Sequence, residues 1–239
     1  YITTDTDWIC STCGPVMYGD IYNGESYDAR RDYSWASPEF DTSDWCYTVA
    51  FQEFTGNIVA HQGPTVQIRE SLQRTPQSIT VYDGTTASGS AYGMIHVGRK
   101  LNGTDKLVLK AGGQNMAGWI RFTVKGENST RLRFRFGEML NDKGDSNRGD
   151  DGPGGSLYTY NLRTADATLY YTMRGTEEGE TFHPSTSFFG FRYCEVTTTH
   201  DVEIISLIGQ PSRREPTLQQ HHVGTAEQFP EHPYRLSAA

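Results

Sequence analysis

Alternation with a period of two restricts the fold of this chain more than any other feature. Segments 119–124 (WIRFTV), 132–136 (LRFRF), 169–173 (LYYTM) and 191–196 (FRYCEV) carry apolar side chains at alternating positions, with Arg, Thr and Glu between them. Successive side chains of a strand point to opposite faces, so each segment reads as a half-buried antiparallel strand. Only residues 71–73 and the far C-terminus depart from this patterning. Turn signals at Asp83-Gly84, Asn102-Gly103, Lys143-Gly144 and Gly175 punctuate the strands at short intervals. Composition agrees, because aromatics at 12% suit pleated surfaces and 25 Gly suit turns. The predicted fold is all-β, a sandwich, and 239 residues suffice for one large or two smaller β-domains with a core of their own.

Charge and thiols narrow the function classes. Lys and Arg number 21 against 29 Asp and Glu, a formal net charge of -8 without a basic cluster, which argues against a nucleic-acid or anionic-membrane partner. No apolar run of about 18 residues exists, so no transmembrane helix is expected. The opening YITTDTDW has neither a basic nor an apolar region, so no signal peptide is expected, and a start without Met points to a processed product or a fragment. Cys10 and Cys13 form a C-x-x-C, but the Gly14-Pro15 that follows does not supply the helix of a redox dithiol. Cys46 and Cys194 are too far apart in sequence to complete a zinc site, and the four thiols read as free or incidental.

Four segments carry chemical information. Residues 19–31 (GDIYNGESYDARR) gather Asp20, Asn23, Glu25 and Asp28 around Gly24, which permits a tight turn. Hard oxygen ligands brought together in this way are what calcium requires, so Glu25 and Asp28 are candidate metal ligands; a plain surface loop neutralised by Arg30 and Arg31 is the alternative. In residues 35–45, Trp35 and Trp45 flank FDTSDW, where Asp41 and Ser43 suit a turn and the indoles either stack on a sugar ring or close the sandwich. The third segment joins GGQNMAGWIRF to FRFGEML, and the fourth is FHPSTSFFGFRYCEV. Gly113, Gly118 and Gly190, beside large aromatics, suggest close backbone approach or bulges, and Glu138 is a carboxylate to test for a buried role. Arg148-Gly149-Asp150 lies in a Gly/Asp-rich loop that will spell such a tripeptide by chance.

Taken in order, GDIYNGESYDAR, FDTSDW, GGQNMAGWIRFTVKG, FRFGEMLNDKG, LYTYNL and FHPSTSFFGFRYCEV resemble the N-terminal accessory region of bacterial α-L-rhamnosidases, from about residue 5 to about residue 209. The resemblance implies a partial galactose-binding-like jelly roll over residues 1–60 and a concanavalin-like β-sandwich over 61–210, while the Pro- and His-rich composition of residues 211–239, without periodicity, suggests an irregular tail. It departs from the family pattern at Ala111-Gly112-Gly113 and in the long stretch from Tyr82 to Lys110, and it stops after Gln210. In the family an (α/α)6-barrel follows and performs the chemistry, so this chain is not expected to be active alone. The implied role is non-catalytic: supporting that barrel or binding a rhamnose-containing glycan through Asn23, Trp35 and Trp45, with no cofactor required unless calcium sits at Glu25 and Asp28. A periplasmic or secreted bacterial setting is favoured over the cytoplasm. The alternative is hydrolysis by the chain itself, with Glu138 and either Asp28 or Asp142 as acid and base.

Overall fold

The alternating segments do form strands, and pairing between segments distant in sequence assembles them into two large sheets. The computed structural model describes residues 5–32, 34–51, 56, 57, 59, 66–82, 92–94, 100–101, 106–111, 115–141 and 155–214. The first strands are β1 (Ile9–Cys10), β2 (Val16–Asp20), β3 (Gly24–Asp28), β4 (Cys46–Tyr47), β5 (Val66–Ile68) and β6 (Pro76–Tyr82). Next come β7 (Tyr92–Met94), β8 (Lys100–Leu101), β9 (Lys106–Ala111), β10 (Met116–Gly126), β11 (Arg131–Gly137) and β12 (Met139–Leu140). The last are β13 (Leu157–Tyr158), β14 (Thr168–Thr172), β15 (Glu180–Phe182), β16 (Phe189–Phe191), β17 (Tyr193–Thr198) and β18 (Val202–Arg214). Among the described residues the only helical pieces are single 3-10 turns, at Ala29–Arg31, Glu70–Leu72 and Tyr160–Leu162.

One sheet has eight strands in the order β2-β3-β14-β11-β17-β9-β6-β7. The other runs β15-β10-β18-β5, with β16 also on β10 and β8 also on β18. The neighbours pair antiparallel except β3 and β14, which run parallel, Gly24–Asp28 against Thr168–Thr172. Strands from before residue 60 are therefore hydrogen-bonded into the same sheet as β11 and β17.

The inward positions of the alternation make the core. Ile120, Phe122 and Val124 of β10 meet Leu132, Phe134 and Phe136 of β11, with Leu169 and Tyr171 of β14 and Val196 of β17, all buried. Phe122 stacks on Phe134 at 4.4 Å between ring centroids, and Phe136 stacks on Phe189 at 4.1 Å, so the two sheets face each other through aromatic rings.

Three expectations change. FRYCEV is not one strand: β16 pairs with β10 and β17 with β11, so the chain passes from one sheet to the other at Arg192, whose N–H bonds the Gly137 carbonyl at 2.9 Å. Phe191 and Cys194 both face the core although three positions apart, which the change of sheet permits. Residues 211–214 are not irregular tail, because β18 continues to Arg214 and pairs there with β5. Gly190 is exposed, and a Cβ on it would find only Glu138 Oε1 at 3.9 Å, so no close approach demands glycine there. Gly118 does meet that expectation, since a Cβ would overlap the Gln210 carbonyl on β18. The turns at residues 83–84, 102–103 and 143–144, Gly112 and Gly113, Asp142, the tripeptide at 148–150 and the tail from 215 lie outside the described residues.

Gly24 has the strictest requirement. Its φ of +111° is disfavoured for other residues, and a Cβ would collide with the Thr168 carbonyl across the parallel pairing. Gly24→Ala is therefore expected to destabilise the fold by about 2–4 kcal/mol in urea titration, while Gly190→Ala changes it by less than about 0.5 kcal/mol.

Candidate functional site

The segment singled out as GDIYNGESYDARR forms the β2–β3 hairpin at the edge of the eight-stranded sheet and the 3-10 turn behind it. Asp20 builds the hairpin turn: its Oδ1 accepts the N–H groups of Tyr22 at 2.8 Å and Asn23 at 2.7 Å, an Asx turn. Asn23 is half-buried behind it, with Oδ1 accepting the Asp166 N–H at 3.2 Å and Nδ2 donating to the Tyr18 hydroxyl at 3.4 Å. The amide is largely committed to holding the hairpin against the start of β14.

Glu25 and Asp28 serve separate networks. Three positions apart on one strand, they project to opposite faces of the sheet. Glu25, 1% exposed, accepts at Oε2 the N–H groups of Ser185 at 2.9 Å and Thr186 at 2.7 Å and the Thr186 hydroxyl at 2.6 Å. It thereby fastens β3 to the loop that joins β15 and β16 of the other sheet. Asp28 forms a two-pronged pair with Arg30, 2.8 Å to Nε and 2.7 Å to Nη2, with Arg31 Nε at 3.6 Å. The Arg30 side chain and backbone N–H hold the Asp28 carboxyl below the usual aspartate range. The two carboxylates do not converge on one ion: Arg30 and Arg31 engage both oxygens of Asp28, amide and hydroxyl hydrogens engage Glu25 Oε2, and Glu25 Oε1 is buried without a hydrogen-bond partner. No group of three His, Cys, Asp or Glu able to hold a metal occurs among the described residues.

The aromatic candidates differ in their surroundings. Trp35 is 62% exposed, whereas Trp45 is half-buried with Phe40 edge-on at 6.1 Å. Asp41 closes the turn between them as expected, accepting the Ser43 N–H at 2.9 Å, and this bond lowers its carboxyl affinity for protons. Among the described residues no ring contact joins the two indoles. Tyr22, 72% exposed, and Tyr18, 49% exposed, stand on the same hairpin as Asn23 and were not among the candidate residues of the sequence. Glu138 is exposed at the bend between β11 and β12, not buried.

Sequence patterning also passed over the best-satisfied carboxylate. Glu180 is buried and accepts four bonds: the Tyr171 hydroxyl at 2.8 Å and the N–H groups of Arg174 at 3.0 Å, Gly175 at 2.6 Å and Thr176 at 3.3 Å. Burial and this carboxylate push the Tyr171 phenol far up, and burial with Asp32 nearby pushes Tyr27 up to about 12. Arg174 then reaches back to the 3-10 turn, donating from Nε to the Ala29 carbonyl at 3.0 Å and from Nη2 to Asp32 at 3.3 Å. The buried carboxylates Glu25, Asp28 and Glu180 thus close loops and join sheets rather than facing one another across a cleft.

Comparison with known proteins places these elements. Residues 1–70 match the family model described as the α-L-rhamnosidase N-terminal domain, and residues 100–210 match the bacterial α-L-rhamnosidase concanavalin-like domain. An α-L-rhamnosidase of Streptomyces avermitilis is 34% identical over 197 residues, covering 82% of this chain and 16% of that protein. The crystal structure of a Streptomyces avermitilis α-L-rhamnosidase complexed with L-rhamnose superposes with a TM-score of 0.65 at 32% identity, covering 89% of this chain and 18% of that one. The native α-L-rhamnosidase of Aspergillus terreus gives a TM-score of 0.64 at 27% identity, covering 90% and 21%. This chain spans about a sixth to a fifth of the length of these relatives. With both domain models matched in order and the two sheets superposing on solved relatives, the chain belongs to the α-L-rhamnosidase family, of which it carries the N-terminal and concanavalin-like domains.

Proposed function

We propose that this chain is a non-catalytic part of an α-L-rhamnosidase-like protein that supports the catalytic barrel and holds a rhamnose-containing glycan beside it. The observation that carries the reading is the commitment of the buried carboxylates Glu25, Asp28 and Glu180 to structural hydrogen bonds, while aromatic rings remain open at the β2–β3 edge. A glycosidase needs two carboxylates about 5–10 Å apart around the scissile bond. Glu138 is exposed at a strand bend, and Asp28 is held by Arg30. Neither is disposed as an acid or base. Exposed Tyr22 and Trp35 offer faces on which the apolar side of a deoxy sugar stacks, and the hydroxyl of Tyr18, on the same hairpin as Tyr22, offers a polar contact.

Calorimetric titration with L-rhamnose and rhamnosides, with and without calcium, tests the binding half of the reading. Heat at about millimolar ligand, reduced several-fold in Trp35→Ala and independent of calcium, is the expected result. Absence of heat leaves the supporting role alone. In a nitrophenyl rhamnoside assay the purified chain is expected to show no turnover above background. A rate that falls in Glu138→Gln would establish hydrolysis instead.

The pairing of Asp28 has a pH signature. Its folded-state carboxyl binds protons less readily than in the unfolded chain, so the stabilisation is present above the ordinary value of 3.8 and is lost as the pH falls through the lower folded value. Thermal melts of the unaltered chain should fall more steeply below about pH 4 than those of Asp28→Asn, which should be less stable at pH 7 and less sensitive to acid. Parallel acid limbs in the two proteins would remove the ion pair from the account.

A further inference from the structure

Folding gives Cys46 a neighbour that sequence spacing does not reveal. β1 and β4 form a two-stranded antiparallel ladder in which Ile9 faces Tyr47 and Cys10 faces Cys46. The ladder continues into a bond from the Thr48 N–H to the Trp8 carbonyl at 2.8 Å, and the Thr48 hydroxyl donates to the Asp5 carbonyl at 2.7 Å. Directly opposed residues in such a ladder have Cα atoms about 4.5–5.5 Å apart and side chains on the same face. That spacing lies within the roughly 4.4–6.8 Å that a disulfide spans. All four thiols are free in this structure, with Cys10, Cys13 and Cys46 exposed and Cys194 buried.

We propose that Cys10 and Cys46 are a cross-strand disulfide site, with Cys13 left outside the bond. β1 ends at Cys10, and Cys13 lies past it in a turn where its N–H donates to the Ser11 hydroxyl at 3.1 Å, outside the register that sets Cys10 opposite Cys46. Cys194 takes no part, because it is enclosed in the core between β11 and β9, and burial pushes its thiol well up.

The chemistry is thiol–disulfide exchange with a small-molecule disulfide as oxidant. The thiolate of one cysteine attacks oxidised glutathione, forming a mixed disulfide and releasing one glutathione thiolate. The other thiolate then attacks the protein sulfur of that mixed disulfide and expels the second glutathione. Two protein thiols lose two protons and two electrons, and one glutathione disulfide becomes two thiols. The bond closes a loop containing the β2–β3 hairpin, Trp35 and Trp45, and so ties both ends of the candidate glycan-holding segment together.

Peptide mapping of the whole chain tests the assignment. The protein is equilibrated with oxidised and reduced glutathione, alkylated without denaturation, digested with trypsin under non-reducing conditions and read by mass spectrometry. Cys10 and Cys13 share the peptide that ends at Arg30, so single variants identify the sulfur involved. The expected result is a peptide pair joined through Cys46, retained in Cys13→Ser and lost in Cys10→Ser and in Cys46→Ser. Loss of the linked pair in Cys13→Ser, or alkylation of all three exposed thiols in the oxidised wild-type protein, would overturn the proposal.

Discussion

The aromatic contact between the two sheets is the interaction on which the rest depends. Phe122 lies at its centre, stacked on Phe134, edge-on to Tyr171 at 5.2 Å and tilted against Phe182 at 5.9 Å. Each fully buried ring of this kind contributes about 2–3 kcal/mol through removal of apolar surface from water. Their geometry adds specificity, because rings that must stack or meet edge-on tolerate few alternative registers. Once β10 and β11 are opposed through these rings, β18 and β17 have defined neighbours and the remaining strands add outward.

Polar fastenings then determine how the sheet edges are held. Glu25 joins β3 to the loop between β15 and β16, and Glu180 organises the residues that follow β14 while anchoring the Tyr171 hydroxyl. A buried carboxylate is costly unless its oxygens accept hydrogen bonds, and backbone N–H groups at turns are the donors available here. Arg174 extends the second network to the Ala29 carbonyl, which places the 3-10 turn and, through it, the Asp28–Arg30 pair. Asp20, Asn23, Asp28 and the Oε2 of Glu25 are engaged in fixing the hairpin.

Alternation made β10, β11 and β14 legible, since burial on one face and solvent on the other is a local pattern. It failed at residues 191–196, where the chain changes sheets and the inward positions slip by one. The turn at Asp41 was also readable, because a side chain bonding its own near backbone needs no distant partner, whereas Asp20, grouped in the sequence with candidate ligands, builds an Asx turn. Glu180, the Glu25 fastening and the facing of Cys10 and Cys46 were not readable, since each depends on a register between segments far apart in sequence. Proximity of Glu25 and Asp28 along the chain does not bring them together in space for a related reason. A strand sends residues three apart to opposite faces.

The parallel pairing of β3 with β14 has a consequence for the order of events during synthesis. The partners of Glu25 at Ser185 and Thr186 lie 160 and 161 residues further along the chain. At about 5–20 residues per second, the N-terminal hairpin waits on the order of ten seconds or longer after its own translation before its strand partner and its fastening loop exist. Loop closure over such a separation is slow and entropically unfavourable until the aromatic core has formed. During that interval the exposed side chains of Val16, Met17, Tyr18, Ile21 and Tyr22 belong to a hairpin with an unsatisfied edge. The N-terminal family segment is thus a late-docking element of a sandwich that the later part of the chain must begin.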